Sequence, residues 1–399
     1  MRNSMMRFGT AAALGLVAAS VQPAMAENGS PSNAQLLQLI QQQQKAIEGL
    51  KAALSNAQKT SEQTAMKAEA ALVQKGESEE VWWKRVNIGG AIEVEATSTS
   101  NFANTDASDL ALAKVELFFD ANPAKYVETH VQLLFEDGNN NITLDEAWVT
   151  LGDTEEFPAY LQAGFFAVPF GNFETDMSAD PLTQSVAETK EAVALVGAEW
   201  GGFSAGGYIY NGDSQRSGNG NHIDQGGLFA GFSGESENVS YNIGGGLISN
   251  IADSDGVTSG AGAAATALDE YIYGAAVHGI FGFGPVTLRG EYVTALDKFT
   301  NAELPFGADG AQPAAWHLEG AYAVDLMGKE TVFAVTVQGT EEALALGLPE
   351  YRYGGAVTVG VIDHVAVTAE YLHDEDYEVS NGGTGNSGHT ATLKLAVDF

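Results

Sequence analysis

Side-chain chemistry in this chain concentrates in one segment, VPFGNFETDMSADPLTQSVAETK, residues 168–190. It carries Glu174, Asp176, Asp180 and Glu188 against a single base, Lys190, and is held by Pro169 and Pro181. Acids gathered this way select solutes by charge if the segment lines a passage, and are only solvated groups if it lies on an outer surface. Elsewhere the chemistry is thin. Asp253-Ser254-Asp255-Gly256 opens like a calcium loop, but the sixth position is Thr258 and the twelfth Ala264, so the match fails. Loose divalent-ion binding to acidic surface loops is all that it leaves. The seven histidines are scattered without metal-ligand spacing. No Ser/His/Asp arrangement is recognisable. The chain is therefore not expected to be an enzyme, and no catalytic residue, cofactor or metal centre is expected.

The elements that must position residues 168–190 are strands. From Val81 onward, segments of about ten residues alternate apolar with polar or small side chains. In VNIGGAIEVEAT (86–97), Val86, Ile88, Ile92, Val94 and Ala96 share one face, and Asn87, Glu93, Glu95 and Thr97 the other. The same period recurs near 110–120, 126–135, 143–152, 159–167, 191–200, 203–211 and 226–233. It continues near 239–249, 270–281, 285–296, 314–324, 330–339, 351–360, 365–373 and 390–399, sixteen candidate strands in all. Their connections alternate between short turns and long polar loops, as the two ends of an outer-membrane barrel do. Aromatics flank the strands: Trp82-Trp83, Phe157, Tyr160, Trp200, Phe203, Phe281 and Phe283 toward the short turns. Tyr208, Tyr210, Tyr292, Trp316, Tyr351 and Tyr371 lie toward the long loops, which predicts two interfacial girdles. The last strand alternates to the terminal residue, with Ala391, Leu393, Leu395, Val397 and Phe399 on one face.

The N-terminus agrees with export. Arg2 and Arg7 precede the apolar run FGTAAALGLVAAS, and Ala24-Met25-Ala26 offers a cleavage site, so residues 1–26 read as a signal peptide. Removing them leaves 16 basic and 52 acidic residues, a net charge of −36, which excludes nucleic acid as a partner. There is no cysteine, hence no disulfide framework or thiolate metal site. No later stretch is long and apolar enough for a transmembrane helix, so a membrane-spanning form has to be a closed barrel. Residues 27–81 fit a heptad frame, with Ile40, Ile47, Leu54, Ser61 and Ala68 at one seam and Leu36, Gln43, Leu50, Ala57, Thr64 and Ala71 at the other. This predicts a short periplasmic coiled coil, supporting a dimer or trimer. The remainder, 82–399, is the barrel. The fold class expected is all-β, a sixteen-stranded antiparallel transmembrane barrel preceded by that helical segment, in the outer membrane of a Gram-negative bacterium.

A barrel of this size leaves an aqueous channel. By alternation its lumen would be lined by Glu93, Glu95, Lys114, Glu116, His130, Gln132, Arg289, Glu291, His317, Glu319, Arg352 and Lys394. Counting strands places 168–190 after the fifth, where porins fold a loop inward as a constriction. The expected solute-binding groups are accordingly Glu174, Asp176, Asp180 and Glu188 on the loop, with Lys114, Arg289, Arg352 and Lys394 on the wall.

The ordered run LDEAWVTLG (144–152), FPAYLQAGFFAVPFGNFETDMSADPLTQSVAETKEA (157–192) and GGFSAGGYIYNGD (201–213) resembles the LbtU-type siderophore porins, as does IGGAIEVEA (88–96) after a Gln-rich helical segment. The resemblance is densest over 86–213 and weak in the loops beyond 250. It implies a plug-less outer-membrane barrel through which ferric siderophores are taken up, with 165–190 as the family's hallmark segment. The net charge of −36 opposes anionic carboxylate siderophores, so a general diffusion porin for cationic or neutral solutes is an alternative. An envelope tether acting through the N-terminal helix is another.

Overall fold

Strands with one apolar and one polar face can bury neither edge nor face alone; closing the sheet removes the edges. The computed structural model describes residues 85–399, apart from 139–140, 219 and 262–266. The segments assigned as a signal peptide (1–26) and a coiled coil (27–81), and Trp82-Trp83, lie outside the described residues.

The strands are β1 (Val86–Ser100), β2 (Asp106–Ala124), β3 (Val127–Glu136), β4 (Thr143–Gly152), β5 (Ala159–Ala167) and β6 (Lys190–Trp200). They continue as β7 (Phe203–Tyr210), β8 (Gln215–Arg216), β9 (Gln225–Glu235), β10 (Val239–Ile248), β11 (Ala267–Leu268) and β12 (Gly274–Phe283). The last are β13 (Val286–Ala295), β14 (Ala314–Leu326), β15 (Lys329–Glu341), β16 (Tyr351–Ile362), β17 (Val365–Glu375) and β18 (Ser387–Asp398). All except β8 and β11 form one closed barrel of sixteen strands. The predicted strands correspond to these sixteen in order; the parallel β8–β11 pair was not foreseen.

The barrel closes through β1 and β18, in register from Ala91↔Asp398 to Ser100↔His389. Beyond that ladder Gly90 and Phe399 exchange both backbone hydrogen bonds at 3.0 Å. A Cβ on Gly90 would stand 2.7 Å from Phe399 Cζ, so the terminal ring rests where only glycine leaves room. Short turns join strands at one end. At the β14–β15 turn Met327 and Gly328 both take left-handed φ, 57° and 77°, the conformation a tight hairpin demands.

Outward side chains are apolar and exposed: Ile92, Leu228, Ile243, Val277, Leu318, Val335 and Leu393 among them. A soluble protein does not display so continuous an apolar surface. Among the described residues no helix is long and apolar enough to cross a membrane.

Inside the barrel lies a packed core. Phe170, Leu182 and Val186 come from residues 168–189, Ile251, Val257 and Ile272 from 249–273, and Phe299 and Leu304 from 296–313. These meet Val193, Leu195, Ile248 and Val293 on the wall. This arrangement corrects two expectations. Tyr208 and Tyr210, 3% and 1% exposed, point inward into this core, and Tyr160 turns inward beside Gln162 and Phe229, rather than forming interfacial girdles. Inward-folded loops give those rings apolar partners that water would not. Asp253 is 3% exposed within a 3-10 turn, so its segment is no acidic surface loop for divalent ions. Tyr292, Tyr351 and Tyr371 stay exposed on the outer face as expected.

Candidate constriction and lumen

Residues 168–189 leave β5 and cross the lumen to the opposite wall before returning to β6. Wall carboxylates and one amide seat the segment largely by its main chain. Glu291 on β13 accepts from the Asn172 N–H at 2.5 Å and the Thr183 hydroxyl at 2.7 Å. Glu319 on β14 accepts from the Asp176 N–H at 2.9 Å and from the Thr175 hydroxyl. Glu370 on β17 accepts from the Ser178 and Ala179 N–H groups at 2.5 and 3.3 Å. On β15, the Gln338 carbonyl accepts from the Leu182 N–H at 2.7 Å. These acceptors are buried, so the hydrogen bonds from the loop also satisfy side-chain oxygens that would otherwise lie unpaired at the wall. The short helix Leu182–Ala187 then packs its Leu182, Thr183, Val186 and Ala187 into the core.

Asp176 pairs with Arg289 of β13, which also donates to Glu319 at 2.8 Å. Asp180 is exposed and within electrostatic reach of Lys114 on β2. Glu174 is also exposed, its N–H held by Asn172 Oδ1 at 3.3 Å. Glu188 sits beside Lys190, where burial raises its carboxyl above the usual range and the lysine partly opposes this. Arg352 makes a two-pronged pair with Asp374 at 2.8 and 3.0 Å, and Lys394 lies 3.6 Å from Glu93. The eight predicted residues therefore do not form one cluster. Asp176 meets Arg289 directly and Asp180 approaches Lys114, whereas Arg352 and Lys394 take partners on neighbouring strands.

Glu291, Glu319 and His317 depart from expectation. Alternation predicts them in the open lining, yet they are 6%, 4% and 1% exposed, covered by the loop. The sequence showed their inward orientation but not what covers them. One hint existed: Glu291↔His317 and Arg289↔Glu319 are cross-strand partners, which concentrates charge at one depth of the wall. Glu370, Gln338 and Thr175 carried no signal.

Helix Asp255–Ala261 from the next inward loop backs onto this segment, with the Asp255 N–H donating to Glu188 O at 2.8 Å. Burial first, then the nearby Glu188 and Asp253 charges, push the Asp255 carboxyl up to about 6, with Lys190 opposing. An acid whose folded pKa is raised favours the packed state below its ordinary value, and that gain is lost as pH rises through about 6. Protection factors of the amides in residues 252–260, with the intrinsic pH dependence of exchange divided out, should therefore be higher at pH 5 than at pH 7.5. Asp255→Asn should reduce the difference, the remainder falling to Asp253 and Glu188, whose carboxyls burial also raises; an unchanged difference overturns the assignment to Asp255.

No family model matches the chain. A UPF0422 protein of Legionella pneumophila strain Philadelphia 1 is 29% identical over 357 residues, 79% of this chain. A UPF0422 protein of Coxiella burnetii is 28% identical over 314 residues, covering 76% of this chain and 67% of its own length. The match spans 66% of the Legionella protein, just under two thirds. Among solved structures, OprB of Pseudomonas putida superposes with a TM-score of 0.55 at 12% identity, over 79% of this chain and 94% of OprB. OmpF of Salmonella typhi, solved with daunomycin, gives 0.53 at 11% identity, over 79% and 97%. The outer-membrane channel DcaP of Acinetobacter baumannii gives 0.52 at 12%, also over 79% and 97%. The fold is that of a porin. These structures share only the fold with this chain, which UPF0422 proteins resemble in sequence.

Proposed function

We propose that this chain is an outer-membrane channel, constricted by residues 168–189, that favours cationic and neutral solutes. One observation carries the charge preference: the bases on wall and loop are already matched. Lys114 lies 2.6 Å from Glu116, Lys190 2.6 Å from Asp145 and Arg289 2.8 Å from Glu319. Arg352 lies 2.8 Å from Asp374 and Lys394 3.6 Å from Glu93. Glu95, Glu174 and Asp180 remain beyond these pairs, so the net field of the passage is negative. A field of that sign concentrates cations and repels anions within about 8 Å at physiological salt. Purified protein in planar bilayers under a KCl gradient should give a reversal potential of cation-selective sign. An anion-selective sign overturns the charge assignment, and absence of conductance overturns the channel.

A second reading, uptake of ferric siderophores, is supported by the resemblance of residues 144–213 to LbtU-type siderophore porins. The negative passage and the packed core both oppose a large anionic cargo. A deletion strain that loses ferric-siderophore uptake while keeping small-sugar permeability would establish this reading over the first. Assembly of dimers or trimers through residues 27–81, in the periplasm, belongs to the same proposal. Truncating 30–78 should leave conductance intact and weaken association.

A further inference from the structure

The lumen wall beside the root of the constriction holds an unassigned cavity of about 490 Å³ at the short-turn end and, nearer the loop, a second of about 270 Å³. The second is lined by Trp148, Tyr160 and Phe229 together with Glu146 and Gln162. Its floor is built for rings. Tyr160, Gly197, Gly206 and Phe229 lie in one cross-strand row over β5, β6, β7 and β9. A Cβ on Gly197 would stand 2.4 Å from Tyr160 Cζ, and one on Gly206 2.6 Å from a Phe229 ring carbon. The two glycines therefore let both rings lie flat on the wall. Trp148 is fixed separately: His130 stacks on it at 5.3 Å and 19°, and its indole N–H donates to Glu146 at 3.3 Å.

Aromatic faces beside a carboxylate attract a poorly hydrated cation through the ring quadrupole and the charge together. The neighbouring charges agree. Lys190, whose field reaches Glu146, is held by Asp145 at 2.6 Å, and His130 Nδ1 lies 2.6 Å from Asp120. We infer that this cavity is a transient binding site for organic cations of the quaternary or aryl-ammonium class, set on the wall where a solute meets the constriction. It rests on the cation-favouring channel proposed above.

The probe is benzyltrimethylammonium, with glucose as a neutral control, on the full-length protein. In bilayers the cation should interrupt the open current in a concentration-dependent way and glucose should not. Trp148→Leu and Tyr160→Leu should each weaken the block about tenfold, Trp148→Phe should largely retain it, and Glu146→Gln should weaken it without abolishing it. Quenching of tryptophan fluorescence in detergent, lost in Trp148→Phe, reads binding even in protein that does not conduct. Conducting protein without block or quenching overturns the site and leaves the channel standing. Equal block by glucose, or block unchanged by both leucine variants, also overturns it. Quenching without conductance keeps the site and overturns the channel.

Discussion

Deleting residues 172–187 and rejoining the ends with a short flexible linker should raise single-channel conductance about two- to fourfold, because a sixteen-stranded wall without its inward segment encloses a wide lumen. The barrel should survive the deletion. Its ladder is backbone-to-backbone between neighbouring strands, and nothing in the β5–β6 pairing from Ala159↔Ala198 to Ala167↔Lys190 depends on the loop. Inside, the deletion removes Leu182 and Val186 from the core and strips the cover from Ile251 and Val257. The inward segment 249–273 should then loosen as well, adding to the opening. Conductance equal to that of the intact protein would place the narrowest point elsewhere.

Arg289→Ala should release the loop without unfolding the barrel. The Glu319 side chain is fully buried, and Arg289 is the cation that neutralises both it and Asp176. Removing one partner of such a buried pair costs about 3–5 kcal/mol, since a charge is left without compensation. The hydrogen bonds from Thr175 and Asp176 remain, but they then hold an uncompensated carboxylate against a second one. Limited proteolysis should cut within 168–189 in the variant and not in the parent, and open-channel noise should rise. Heat-modifiable migration of the folded barrel should not change. Lys114→Ala supplies the contrast. Its pair with Glu116 is partly solvated, a class worth about 0–1 kcal/mol, so its effect should fall on selectivity and not on loop attachment. Similar loop release by both variants would refute this division.

Much of the barrel could be read from the chain because a two-residue period is repeated along sixteen segments and each strand reports its own orientation. Val86, Ile88 and Ile92 declare their face without reference to any distant residue. The loop after β5 could be located by counting. What a period cannot report is which inward positions face water and which face another part of the chain. Glu291 and Glu93 look alike in sequence, both acids on an inward face, yet one is covered by the Gly171–Thr183 stretch and the other faces Lys394. Tyr208 and Tyr210 failed for the same reason: an aromatic near a strand end suits an interface or a core, and only the folding-in of residues 249–273 decides. Such contacts link residues from about forty to more than a hundred positions apart, beyond the reach of local pattern.

The seating of residues 172–182 on the wall uses mostly peptide N–H groups as donors. A peptide N–H is the same whatever side chain it carries, proline excepted. Exposed positions such as Glu174 and Asp180 are therefore free to change character while the segment keeps its place. The wall acts as a socket and the loop as an interchangeable insert. Substituting a few residues there could redirect this scaffold from one class of solute to another, with little cost in stability.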